Sequence, residues 1–356
     1  MPEIPVQHLC NFTQQLATLV CAGVPLLQSL DTVARGTHFK PLQVTALKLR
    51  QQIAQGMSLQ QGLRQAQVFD HFYCQLVAAG EMSGNLDGML RRLATHLERQ
   101  HKLRQKVKMA LVYPIAVLLI GALVTAVILI WVVPVFQTIF ASFGAELPAA
   151  TRLVLRMSEA LLHAGPLSLL LMLLAFVGLR LVYRRSQAWQ LRAAVAALHM
   201  PVAGALIRTS NDAIWTRCMA TLLQSGVPLL EALEVTAGAC PNRVYALFTL
   251  AIRHAVSQGS SLSAAMQSVH VLLPQTRQKQ SVFDALLMHM VAVGEESGAL
   301  APLLTQAADE HEQSLERRID GMTQLIEPLM VVVLGGLVGG LVVALYLPVF
   351  QLGQVL

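Results

Sequence analysis

The sequence predicts an all-α, polytopic membrane protein, with two repeated cytoplasmic antiparallel helical bundles and three transmembrane helices. Three observations carry this reading. The 356 residues are 54% hydrophobic and 13% charged, with a mean hydropathy of +0.55, whereas about a quarter of a typical soluble domain is charged. Three apolar runs reach the ~20 residues that cross a hydrocarbon core. Two charged segments outside those runs repeat each other in order, the signature of a duplicated structural unit.

Residues 1–110 form the first bundle. Leu9, Phe12, Leu16, Leu19 and Gly23 recur at spacings of three and four, which is helical rather than strand periodicity. Breaks at GVP, around HFKP, at QGMS, around FDHF and at SGN divide the segment into five or six helices. In GVPLL, Gly23 stands at a helix end and Pro25 in the first turn of the next, where its missing N–H costs nothing. Residues 111–136, LVYPIAVLLIGALVTAVILIWVVPVF, hold no charge and form the first span. Residues 137–160 make an outer loop. The second span, 161–183, is built on AGPLSLLLMLLAFVGL and takes in His163 and Arg180. Residues 184–327 form the second bundle, PLMVVVLGGLVGGLVVALYLPVF at 328–350 the third span, and 351–356 a short tail.

Basic residues set the orientation. Lys102, Arg104, Lys106 and Lys108 precede the first span, Arg180, Arg184 and Arg185 end the second, and Arg317 and Arg318 precede the third. The outer loop holds only Arg152 and Arg156. The positive-inside rule then places the N-terminus and both bundles in the cytoplasm, and the loop and the last residues outside. The start MPEIPVQHLC lacks a basic n-region and a long apolar core, so the first span is expected to act as its own insertion signal. Cys10, Cys21, Cys74, Cys218 and Cys240 are odd in number and contain no C-x-x-C pair, which favours free thiols in a reducing compartment.

The duplication can be followed residue by residue. LATLVCAGVPLLQSLD at 16–31 matches MATLLQSGVPLLEALE at 219–234, and QGMSL at 55–59 matches QGSSL at 258–262, both at an offset of 203. An eleven-residue insertion near HVLLPQTRQKQ, expected as an exposed loop, moves the offset to 214. There Phe69-Asp70 meets Phe283-Asp284, GEMSG meets GEESG, Glu98 meets Glu312, Pro114 meets Pro328, and VPVF at 133–136 meets LPVF at 347–350.

Glu81 and Glu295, in the doubled Gly-Glu-x-Ser-Gly element, are the candidate acids. No nucleophile or second titrating group accompanies both copies: His71 has Ala285 opposite it, and Asp87 has Ala301. Active-site chemistry needs a constellation, and a cation site needs several converging oxygens. The favoured reading is structural. Gly80 and Gly294 allow close helix contact, Gly84 and Gly298 end the helix in a left-handed turn, Ser83 or Ser297 satisfies free backbone groups, and the glutamate pairs with a donor in the bundle. No phosphate-binding Gly-rich loop, H-E-x-x-H or G-x-S-x-G element is present. Neither catalytic residue, metal, cofactor nor nucleic-acid partner is expected. Gly335 and Gly339, with Gly336 and Gly340, form overlapping G-x-x-x-G patterns that permit close helix packing within the chain or with another subunit. The first bundle has 12 Lys and Arg against 6 Asp and Glu, the second 11 against 12. Arg91 and Arg92 are therefore candidate contacts to anionic headgroups or an acidic partner face.

In this order, the doubled A-T-L-x-x-x-G-V-P-L-L, the doubled G-E-x-S-G, Tyr113-Pro114, Glu327-Pro328, the VPVF and LPVF ends and Leu147-Pro148 resemble one family. It is the polytopic inner-membrane platform proteins of type IV pilus and type II secretion machines, and the likeness covers almost the whole chain. The resemblance implies two six-helix cytoplasmic domains, three spans and a non-enzymatic scaffold. It further implies contacts with a cytoplasmic hexameric ATPase, other inner-membrane assembly proteins and pilin or pseudopilin subunits, and oligomerisation, commonly as dimers. Family members usually carry an N-terminal extension, whereas the first repeat here begins near residue 8. A transporter would instead need ionisable residues along a membrane pathway, and a receptor a larger outer domain than 137–160. Among pilus, DNA-uptake and secretion machines the motifs do not discriminate.

Overall fold

A computed structural model describes residues 4–135, 187–201, 203–268 and 282–355, with positions 138, 156, 174, 177, 178 and 180 described singly. Every element among the described residues is helical. The first copy supplies α1 (Val6–Cys21), α2 (Leu26–Gly36), α3 (Lys40–Ala54), α4 (Leu59–Ala66), α5 (His71–Ser83) and α6 (Leu86–Val127). A π-type turn at Ile128–Val132 follows α6. After α7 (Gln187–His199) the second copy supplies α8 (Ala203–Gln224), α9 (Leu229–Ala239), α10 (Arg243–Ser257), α11 (Leu262–Ser268), α12 (Ala285–Glu296) and α13 (Leu300–Val355).

The breaks fall where local chemistry puts them, and they fall alike in both copies. Shifted by 203, α2 and α3 begin and end at the same positions as α9 and α10. Gly23 and Gly226 close α1 and α8 at φ 81° and 78°, conformations a Cβ disfavours. The next amides then reach back into the finished helix, Val24 N to Leu19 O at 3.0 Å and Val227 N to Leu222 O at 3.1 Å. Asp70 caps α5 by accepting from Tyr73 N at 2.7 Å, and Asp284 caps α12 by accepting from Ala285 N at 2.8 Å.

Contacts divide the chain into two compact units. One holds Met1–Gln105 with Leu191–Arg318, and the other Lys106–Gln190 with Ile319–Leu356. In the first unit both copies bury equivalent side chains in one continuous core: Phe12 with Trp215, Leu30 with Leu233, Leu49 with Ile252, Leu90 with Leu304. The Phe12–Phe69 aromatic contact recurs as Trp215–Phe283, at 6.2 and 5.0 Å between centroids. Helix α5 packs on α9 and joins the copies, with a Gln75 to Glu231 hydrogen bond between them.

The second unit contains the apolar lengths of α6 and α13. A small cluster of Leu129, Val133, Leu341 and Ala344 holds them together, and Lys106 pairs with Asp320 at 3.0 Å. Helices over Leu86–Val135 and Leu300–Ala344 are long and apolar enough to cross a membrane. Their outer faces leave Leu119, Trp131 and Val332 exposed, as expected of side chains whose solvent is lipid. A third candidate by length and composition is the pair Trp189–His199 and Ala203–Gln224, bent by 108°. Its second helix buries Asp212, Trp215 and Thr216. The expected span at 161–183, the outer loop and the insertion near 270–280 lie outside the described residues, apart from isolated positions. One feature differs from a bundle joined to a separate span. No break separates charged and apolar parts: α6 runs unbroken for 42 residues and α13 for 56, straight through Pro114 and Pro328 at the start of the apolar parts, because both parts share the helical period.

Candidate functional site

The doubled glutamates occupy matching sites. Helices α4 and α11 are short, with 8 and 7 residues, and their first N–H groups have no partner within the helix. Glu81 Oε1 and Oε2 accept from Leu59 N at 2.6 Å and Gln60 N at 2.9 Å. Glu295 accepts from Leu262 N at 2.6 Å and Ser263 N at 3.0 Å, and from the Ser263 hydroxyl at 2.7 Å. Each carboxylate thus lies against the positive end of a short helix. Burial pushes the Glu295 carboxyl up, but the Ser263 and Leu262 amides and the Ser263 and Ser261 hydroxyls outweigh it, leaving its pKa below the ordinary value.

The neighbouring residues set this geometry. Gly84 and Gly298 end α5 and α12 at φ 68° and 69°. A Cβ on Gly80 would lie 3.0 Å from Met89 Cβ and 3.1 Å from Leu86 Cα, and one on Gly294 would lie 2.9 Å from Leu300 Cα. Ser83 and Ser297 donate back to Ala79 O and Val293 O, each at 2.7 Å. The QG-x-S-L and GE-x-SG motifs are therefore two halves of one joint. Among the described residues no three or more His, Cys, Asp or Glu side chains are placed to hold a metal ion.

The other sequence candidates do not join this site. Arg91 is exposed, whereas Arg92 is half-buried and donates to Ser225 Oγ at 3.4 Å, on the second copy. Around Gly335 and Gly339 nothing lies within 4 Å of where a Cβ would be. The close approach in that unit is at Gly121, whose Cβ would meet Leu334.

Sequence reasoning missed an ionic seam between α6, α8 and α13. Arg217 Nε and Nη2 donate to the two Glu312 oxygens at 2.7 and 2.8 Å, and Arg217 also pairs with Asp309. Arg99 reaches Asp309 at 3.3 Å and Glu312 at 3.1 Å. Burial alone would lower the Arg217 pKa, but its hydrogen bonds to Glu312 and Asp309 raise it. The first copy places an amide where Arg217 stands, Gln14 Nε2 donating to Glu98 at 3.1 Å, on the carboxylate equivalent to Glu312, which Lys102 also pairs with at 2.6 Å. Beside the seam lies a cavity of about 230 Å³ lined by His96, Arg99, Arg217 and Glu312. Burial, and then Arg217 and Arg99, push His96 down to about 4, so its ring is neutral.

A larger polar cavity, about 590 Å³, lies among Arg208, Asp212, Asp284, His311 and Arg318. Burial raises Asp212 to about 7, against the donated hydrogen bond of the Tyr245 hydroxyl at 3.0 Å. His311 Nε2 is buried without a hydrogen-bond partner among the described residues.

Comparison with known proteins agrees with the duplication. The family profile for type II secretion system protein F matches twice, over residues 12–134 and 215–348. The chain is similar to the type IV pilus assembly protein PilC of Pseudomonas aeruginosa, at 38% identity over 99% of this chain and 92% of that protein. It is similar to PilC of Myxococcus xanthus at 36% identity, covering 96% of this chain and 79% of the relative. The type II secretion system protein F of Vibrio cholerae is 31% identical, over 99% of this chain and 84% of that protein. With two profile matches and relatives aligned nearly end to end, this chain belongs to the type II secretion system protein F family.

Proposed function

We propose that the protein is the inner-membrane platform of a type IV pilus machine, a scaffold that couples a cytoplasmic hexameric ATPase to insertion of pilin subunits. The observation that carries the pilus reading is identity: 38% and 36% to the two pilus-assembly relatives above, against 31% to the secretion relative. The architecture fits a scaffold. The doubled carboxylates are occupied by backbone amides, which leaves them holding helices in place rather than exchanging protons with a substrate.

On this reading 1–110 and 184–327 are six-helix cytoplasmic domains. Residues 111–136, 161–183 and 328–350 cross the membrane, and 137–160 and 351–356 face the periplasm. Arg91, exposed next to the Arg92 that reaches Ser225 of the second copy, belongs to a contact surface with the other assembly proteins, and Gly335 and Gly339 to a helix seam in an oligomer, commonly a dimer. Deleting the gene in its native bacterium tests the assignment. Surface pili should disappear while type II secretion continues, and in-cell crosslinking of the full-length chain should recover an assembly ATPase and a pilin. Normal piliation with lost secretion would favour the pseudopilus machine.

A further inference from the structure

In the unit that contains both copies, ten large apolar side chains are exposed among the described residues, and six of them form two matched sets. Leu27, Val44 and Leu47 lie on the α2–α3 hairpin, and Leu230, Leu247 and Leu250 on α9–α10, each pair related by the offset of 203. All six are 39–50% exposed. Within each set a salt bridge connects the two helices: Asp31 to Arg50 at 2.9 Å, and its equivalent Glu234 to Arg253 at 3.0 Å. Leu27 stands one helical turn before Asp31, and Leu47 three residues before Arg50, so the bridge aligns the apolar ridges on one face. The doubled GVPLL element is more than a helix break, since its last leucine is the exposed Leu27 or Leu230.

We propose that each hairpin face docks one amphipathic helix of a partner protein, and that the two faces hold equivalent helices from two subunits of that partner. Three half-exposed aliphatic side chains fall far short of the ~800 Å² per partner of a stable dimer. They match the apolar anchors of a helix laid along a groove, spaced i, i+3 or i+4, and i+7. Charge narrows the occupant. The first face adds Arg35, Lys40 and Lys48, and Lys40 and Lys48 have no acidic partner among the described residues. The second has Gly238, Arg243 and Ala251 at those positions, with Glu231 nearby. The first face therefore selects a helix with acidic flanks, and the second takes the same helix with less dependence on charge. A carboxylate at the centre of both faces, Asp31 and Glu234, argues against an anionic lipid surface as the occupant.

The surface stands on its own geometry and does not rest on the platform assignment. The test places a benzophenone amino acid at position 47 or 250 of the full-length chain in its native membrane, and sequences the crosslinked peptides after irradiation. Both positions should capture the same helix of one partner, apolar at i, i+3 or i+4 and i+7, with Asp or Glu beside that ridge. Lys48→Glu should lower the yield at 47 by about fivefold or more and leave that at 250 within about twofold, with thermal unfolding unchanged. Crosslinks to a second copy of this chain, to lipid alone, or to unrelated proteins at the two positions would overturn the proposal, as would no crosslink from a functional chain.

Discussion

The glutamates of the doubled Gly-Glu-x-Ser-Gly element act on a helix earlier in the chain, one that ends at Ala66 for Glu81 and at Ser268 for Glu295. Glu81→Ala and Glu295→Ala leave two amides uncapped and are each expected to cost about 1–3 kcal/mol. Gln in place of either restores part of this by accepting one bond without the charge. Thermal unfolding of the purified full-length protein reads the order wild type, Gln, Ala; an Ala variant as stable as wild type would remove the joint from the account. The motif was plain in the sequence, including its left-handed glycine and its helix end, because those are rules of a few adjacent residues. The partner of the carboxylate was not, because only folding brings Leu59 and Glu81 together. Asp212 carries a second prediction. Its folded pKa of about 7 lies above the ordinary 3.8, so the folded state holds the extra proton between those values and stability from this group falls as pH rises from about 4 to 7. Asp212→Asn keeps an acceptor for Tyr245. The variant should gain on wild type as pH rises across that window, in denaturant titrations at pH 5 and pH 8, and a constant difference would contradict the burial of a protonated carboxyl.

Between elements, the seam of Arg99, Arg217, Asp309 and Glu312 ties α8 to α6 and α13. Arg217 is 12% exposed at its side chain and Arg99 47%. Arg217→Ala leaves Glu312 with only the more exposed Arg99 and should cost about 2–4 kcal/mol, whereas Arg99→Ala should cost less than about 1 kcal/mol. Arg217→Gln recreates the Gln14–Glu98 pairing of the first copy and should fall between them. Equal losses for Arg99→Ala and Arg217→Ala in chemical denaturation would show that exposure does not grade the seam. The Glu98 and Glu312 register was visible in sequence. The arginines were hidden because Arg217 has Gln14 opposite it, so no doubled motif marked the position.

At the scale of the molecule, buried side chains of the two copies form one continuous core. Trp215→Ala, costing about 3–5 kcal/mol in the second copy, should therefore speed hydrogen exchange of buried amides in α1 to α5 as well as in α8 to α12. Acceleration confined to the second copy would mean that the α5–α9 contact does not couple them. The proposed topology is read by reporters. Alkaline phosphatase fused after residue 356 should be active and a fusion within the second bundle inactive, and the reverse pattern would invert the positive-inside reading.

Composition, the charge-free runs and the repeat offsets determined that the chain is helical, apolar enough for a membrane and duplicated, because these depend on local period and on comparison of the sequence with itself. The tertiary structure decided three things: which amides the doubled carboxylates cap, that both copies bury their side chains in one core, and that the charged stems continue as single helices into the apolar segments. Each of these depends on contacts between residues far apart in the chain or on the absence of a break, and local rules do not encode them. The Gly-Glu-x-Ser-Gly stretches could be written down from the sequence, but the helix each one holds could be named only from the fold.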